Sequence, residues 1–116
     1  MTGITHTPTP YTYSAAVAAG ELVYLGLHRG SGDDFASQFD STFANLTATL
    51  AQNGLGLDRI IKVHVWLKDI QDLPAMEKRF ARYFEVDHYP ARMTATTEFI
   101  NDDCLLMIEG VAYRGE

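Results

Sequence analysis

The sequence is poor in the residues that signal several common chemistries. Its 116 residues hold one cysteine, Cys104, so no internal disulfide can form, which suits a reducing compartment. A lone cysteine is usually a small buried hydrophobe. Cys104, at the turn into the last strand, is read that way ahead of any catalytic role. No run of Lys or Arg occurs, and 15 acidic residues outnumber 9 basic ones for a formal charge of −6. Such a surface repels phosphates and argues against a nucleic-acid partner. No stretch approaches the roughly 20 apolar residues of a membrane span. Residues 1–10 are polar and threonine-rich, without the apolar centre of a signal peptide. Glycine-rich phosphate loops, paired-cysteine motifs and His-Glu-x-x-His are all missing. His6, His28, His64 and His88 are scattered without ligand spacing, so no metal site is expected. These absences describe a cytosolic globular protein with no membrane partner.

What is present suffices for one core. Apolar residues make up 47% of the chain and charged ones 21%, with six Phe, six Tyr and one Trp. A single domain over residues 1–116 can bury roughly two-thirds of its unfolded surface. Residues 2–10, with two prolines, read as an extended lead-in. Residues 11–17 and 22–25, joined by a turn at Gly20-Glu21, read as a hairpin of two strands. Phe35, Phe39, Phe43, Leu46 and Leu50 recur at steps of three and four, which predicts a helix capped by serine or aspartate in residues 30–34. Gln38, Ser41, Asn45 and Thr49 fall on its opposite face, and Asn53-Gly54 closes it.

Residues 60–68 alternate, with Ile61, Val63, Val65 and Leu67 inward and Lys62, His64, Trp66 and Lys68 outward. Pro74 suits the first turn of a second helix carrying Met76, Phe80, Tyr83 and Phe84 on one side. Residues 92–99 and 105–113 read as two more strands. The expected order is ββαβαββ, an α+β sheet with both helices on one face. That leaves the other face, with Trp66, Tyr24 and Tyr13, to be covered by another subunit.

Arg92 stands out among the basic residues. It follows Tyr89-Pro90, which must be extended because proline disfavours helical geometry in the residue before it. A planar guanidinium at a strand end suits bidentate binding of a carboxylate, or else a surface or interface salt bridge.

The series Tyr13-Ser14-Ala15-Ala16-Val17-Ala18-Ala19-Gly20-Glu21-Leu22-Val23-Tyr24, Phe43-Ala44-Asn45-Leu46, Leu50-Ala51-Gln52-Asn53-Gly54, Ile60-Ile61-Lys62-Val63-His64-Val65-Trp66-Leu67-Lys68-Asp69, Tyr89-Pro90-Ala91-Arg92 and Ile108-Glu109-Gly110-Val111-Ala112 resembles the RidA/YjgF reactive-intermediate deaminase family, also called the L-PSP endoribonucleases. Order and spacing hold over nearly the whole chain. The resemblance implies a chorismate-mutase-like fold, a homotrimer and ligand clefts between subunits. It also implies cofactor-free hydrolysis of enamines and imines of small 2-keto acids. The family's carboxylate-holding arginine corresponds to Arg92, and a tyrosine near the ligand corresponds to Tyr13.

Departures from the pattern fall around that anchor. The usual Ser-Gly-Gln after the second strand is Gly26-Leu27-His28, so Leu27 narrows the space beside Gly26. A cysteine two positions after the arginine is replaced by Thr94, which keeps a backbone and a hydroxyl to offer. An ungapped alignment puts Met107 where the family's water-positioning glutamate stands. A hairpin shorter by two residues would instead bring Glu109 there. Two functions therefore stay open. One is a deaminase using Arg92 and Glu109, assisted by Tyr13 and Thr94. The other is a non-enzymatic binder of small carboxylates that has lost the water-positioning acid. Tyr13 could equally pack on the hairpin.

Overall fold

The computed structural model describes residues 3–116. Six strands and two helices follow in the order β1 (Ile4–Pro8), β2 (Ser14–Ala19), β3 (Leu22–His28), α1 (Phe35–Gln52), β4 (Ile60–Leu67), α2 (Leu73–Phe80), β5 (Ala91–Thr96) and β6 (Leu106–Tyr113). They form one mixed sheet in the order β1-β2-β3-β6-β4-β5. β4 and β5 run parallel, joined by a crossover through α2, and every other pair is antiparallel. The α+β expectation holds, with one strand added: the lead-in is β1, not an unpaired segment. Two prolines masked it. Pro8 is tolerated because it ends an edge strand, where no donor is needed on the open side.

The β2–β3 hairpin turns at Gly20, whose φ of 60° lies in the left-handed region. β2 begins at Ser14, three residues later than expected, because residues 11–13 bend before the ladder starts. β5 stops at Thr96, so residues 97–99 are loop and not strand.

α1 is built as its pattern implies. Asp34 caps it, accepting from the Ser37 amide at 2.8 Å, while the Ser37 hydroxyl lies against the Asp34 backbone and side chain. Phe39, Phe43, Leu46 and Leu50 are buried against the sheet, each contributing about 1.5–3 kcal/mol by leaving water. The opposite face is not uniformly wet. Gln38 and Thr49, expected outside, are buried, because the β5–β6 turn and His28 fold over them. Gln38 donates to Gly32 O and Asp103 O and accepts from the Leu105 amide at 2.9 Å.

Helix α2 is shorter than expected. It ends at Phe80 and gives way to a tight 3-10 turn, Ala81–Tyr83. Tyr83 stacks on Phe43 with ring centroids 4.2 Å apart. Its hydroxyl and Arg79 both donate to Asp40 of α1, at 2.6 and 2.8 Å. Those bonds, Arg79's first, hold the Asp40 carboxyl below its usual range. Burial, with Asp40 adding to it, pushes the Tyr83 phenol up to about 12.

One inward residue of β4 was misplaced by simple alternation. The ladder with β6 shifts between Ile60 and Lys62, so Ile60 is buried and Ile61 is 48% exposed. Just past the bulge Gly110 pairs with Val63, and a Cβ there would press into the Lys62 carbonyl oxygen. With α1 and α2 on one face, the other face carries Tyr24, His64, Trp66, Met93, Met107 and Glu109. Tyr24 and Met93 are 49% and 57% exposed.

Candidate functional site

Alternation and register decide which side chains can meet. On β5, Arg92 pairs in register with Val63 and Thr94 with Val65, both core residues. Arg92 and Thr94 therefore project to the helix side of this edge strand. The Arg92 guanidinium lies 5.0 Å from the centroid of Phe80, and its Nη2 donates to Glu77 Oε2 at 2.8 Å. With Glu77 53% exposed, that pair is screened and of low value, on the order of 0–1 kcal/mol. An incoming carboxylate can compete for the guanidinium. Two residues on, the Thr94 hydroxyl oxygen is buried with no hydrogen-bond partner among the described residues. A buried orphan of this kind is uncommon and costs about 1–3 kcal/mol until something pairs with it.

The opposite face holds an open concavity of about 1250 Å³ at the ends of β2, β3, β4 and β6. Tyr13, Gly26, Leu27, Trp66, Met107 and Glu109 line it. Residues Gly26 and Leu27 form a β-bulge: Leu25 pairs with Gly110 and His28 with Ile108, so two residues of β3 oppose Glu109 alone. The bulge leaves Leu27 49% exposed on the concavity wall. Its other side is tied down by His28, which is 92% buried on the helix face (8% exposed). Because the Gly26 carbonyl can only accept, His28 Nδ1 carries the proton and donates to it at 2.6 Å. Nε2 then accepts from the Thr49 hydroxyl at 2.8 Å. Burial lowers the pKa of His28, only partly opposed by the Gly26 bond, which keeps the ring neutral.

Glu109 stands on the concavity floor. The Trp66 indole Nε1–H donates to its Oε2 at 2.9 Å, and His64 Nδ1 lies 3.6 Å from the same oxygen. Met107 shares this face, in register with Trp66, while Glu109 is in register with His64. Both candidates for the water-positioning place thus face the concavity, and neither faces Arg92 within one chain.

The structure brings Tyr13, Gly26, Leu27 and Glu109 together and leaves Arg92 and Thr94 on the other side of the sheet. Three residues that carry the local geometry were not singled out as site residues in the sequence. Trp66 was legible as outward-facing, but its bond to Glu109 needs the β4–β6 register. His28 was a scattered histidine until the bulge turned it inward. Arg29, just past β3, is the cation on the concavity lining among the described residues, weakly paired to Asp103 at 3.6 Å. Cys104 is fully buried, its thiol pushed up mainly by burial. Among the described residues no group of three or more His, Cys, Asp or Glu converges that could hold a metal ion. Among the described residues no helix is long and apolar enough to cross a membrane.

A six-stranded mixed sheet backed by two helices, with a bulged third strand beside a held carboxylate, defines a small α+β fold. Comparison with known proteins narrows it. The family model described as Endoribonuclease L-PSP matches residues 5–114. A RutC family protein of Pyrococcus horikoshii is 31% identical over 110 residues, covering 88% of this chain and 86% of that protein. A yjgF family protein of Streptococcus pyogenes superimposes with a TM-score of 0.90 at 30% identity, with both chains covered completely. RidA from an Antarctic Psychrobacter gives a TM-score of 0.84 at 25% identity over 93% of each chain. The chain belongs to the RidA/YjgF family, the family of the L-PSP model.

Proposed function

We propose that this protein is a hydrolytic deaminase of reactive enamine or imine derivatives of small 2-keto acids, acting in a cleft formed between copies of the chain. The observation that carries it is the division of polar groups between the two faces of the sheet. One face offers a competable guanidinium, Arg92, and an orphaned hydroxyl, Thr94. The other offers a shaped concavity with a held carboxylate, Glu109. Each is half of what imine hydrolysis needs. Because Arg92 lies on the free edge strand β5, the edge of one copy can close over the concavity of its neighbour.

In that cleft Arg92 holds the substrate carboxylate, and Tyr13, the Gly26-Leu27 bulge and Thr94 frame the rest. Glu109 takes a proton from water as the water oxygen bonds to the imine carbon and the C=N electrons pass to nitrogen. The nitrogen then takes that proton to become an amine, and as the C–N bond breaks the hydroxyl proton passes through Glu109 to the departing nitrogen, leaving the 2-keto acid, ammonia and an ionised Glu109. Holding both reactants in place lowers the entropic cost of the encounter. Neither metal nor organic cofactor is called on.

The test is ammonia release from 2-aminoacrylate generated in the assay. The parent should accelerate it, and Arg92→Ala should lose roughly 10–100-fold in kcat/KM, the value of a charge-assisted hydrogen bond. Arg29→Ala, which alters the cation on the concavity lining, should lose far less. Loss from Arg29→Ala with Arg92→Ala near the parent would move the anchor to Arg29.

A second reading has its own support. Met107 occupies the water-positioning place in the ungapped alignment, and a thioether cannot orient water as a carboxylate does. The protein would then be a non-enzymatic binder of small carboxylates. It is distinguished by thermal stabilisation without turnover: ligand at a hundred times Kd adds about 2.7 kcal/mol.

A further inference from the structure

Among the described residues two carboxylates line the concavity, Glu98 on the loop after β5 and Glu109 on the sheet floor, and only Glu109 is held by other side chains. The way it is held is asymmetric. The indole Nε1–H of Trp66 donates to Oε2 at 2.9 Å, and His64 Nδ1 approaches that same oxygen at 3.6 Å. No side chain or backbone donor reaches Oε1 among the described residues. Both neighbours come from β4, one diagonal to Glu109 and one directly in register with it.

A carboxylate pinned through one oxygen loses the freedom to rotate and swap its two oxygens. The free oxygen keeps its lone pairs directed one way, which is what a base needs if its proton donor is a water in a fixed place. An indole is well suited to the task. It donates only, cannot titrate, and stands on β4 in register with Met107, its ring centroid 6.1 Å from that of His64.

We propose that Trp66 is a positioning residue for the reaction. Its indole N–H fixes Glu109 through Oε2 and so presents Oε1 to the concavity as the proton-accepting oxygen. This inference rests on the deaminase reading for Glu109's role, but the contact at its heart can be tested without substrate. It also explains how a chain with Met107 in the usual position can use Glu109, two residues along the same face. The indole does for Glu109 what a different register would otherwise have to do.

The experiment uses the full-length protein and the fact that Trp66 is its single tryptophan. The indole Nε1–H gives one resolved proton resonance, recorded at fixed pH in the parent and in Glu109→Gln. The resonance should move when the charged acceptor becomes an amide. In parallel, Trp66→Phe keeps the ring and removes only the donor. It should lower kcat for ammonia release about tenfold or more with KM little changed, since the lost bond orients the base and does not bind the substrate. A resonance indifferent to Glu109→Gln overturns the proposal. So does a Trp66→Phe protein with the parent's kcat. In a parent without turnover the deaminase reading fails by itself, and the resonance still decides whether the indole holds the carboxylate.

Discussion

His28 shows how one side chain can shape a site it does not enter. Its ring crosses from the Gly26 carbonyl to Thr49 of α1 and so fastens the bulge that turns Leu27 toward the concavity. Its lowered pKa has a thermodynamic consequence. When the folded-state pKa lies below the unfolded value near 6.5, the group adds stability above that pH. The contribution is lost as pH falls through the folded value. The urea midpoint of the parent should therefore drop between pH 7 and 5, while His28→Gln, which has no proton to gain, should be flatter over that window. Equal slopes for the two proteins would remove His28 from the account. Asp40, whose pKa is lowered from 3.8, acts in the same direction only at more acid pH, so the two effects separate.

At the scale of elements, the sheet is joined to α1 by polar as well as apolar contacts. The buried Gln38 satisfies three backbone groups, two carbonyls and the Leu105 amide, on the segments flanking α1 and β6. Gln38→Ala leaves them without partners in a buried place. At about 1–3 kcal/mol per unsatisfied group, partly relieved by water, the loss should be about 2–4 kcal/mol in chemical denaturation. A loss below 1 kcal/mol would mean that water replaces the amide freely. α1 itself was legible in the sequence because its five apolar residues keep helical spacing. Gln38 was not, because helical spacing places a residue on a face and says nothing of which loop later covers that face. The Ile61 reversal has the same origin: alternation is a local rule, and the bulge at Ile60–Lys62 is set by pairing with β6, a strand distant in the chain.

On the scale of the whole molecule, the face opposite the helices carries Tyr24, Met93 and a partly exposed Trp66, an apolar surface that this chain does not cover. A homotrimer is expected, so solution scattering should give about three times 12.9 kDa. A mass near 13 kDa would sink both the trimer and the shared cleft. The cleft also has a sharper test. If Arg92 comes from one copy and Glu109 from the next, Arg92→Ala and Glu109→Gln should each be strongly impaired alone. Unfolded together and refolded in equal amounts, they should recover about a quarter of parent activity, the chance that one site receives both intact residues. No recovery would overturn the shared cleft.

The sequence by itself determined the class of the fold, the apolar face of α1, the outward direction of Trp66 and the extended approach to Arg92. These follow from spacing and from proline's fixed geometry, which act over a few residues. The tertiary structure alone decided that β1 joins the sheet and that His28 turns inward at a bulge. It also decided that Glu109 is bound by Trp66 and that Arg92 and Glu109 leave opposite faces of the same sheet. Each of those depends on strand register, which is a relation between segments distant in the chain. Register puts Arg92 on the helix side and Glu109 on the open face, so the proposed site needs a second copy to bring them together.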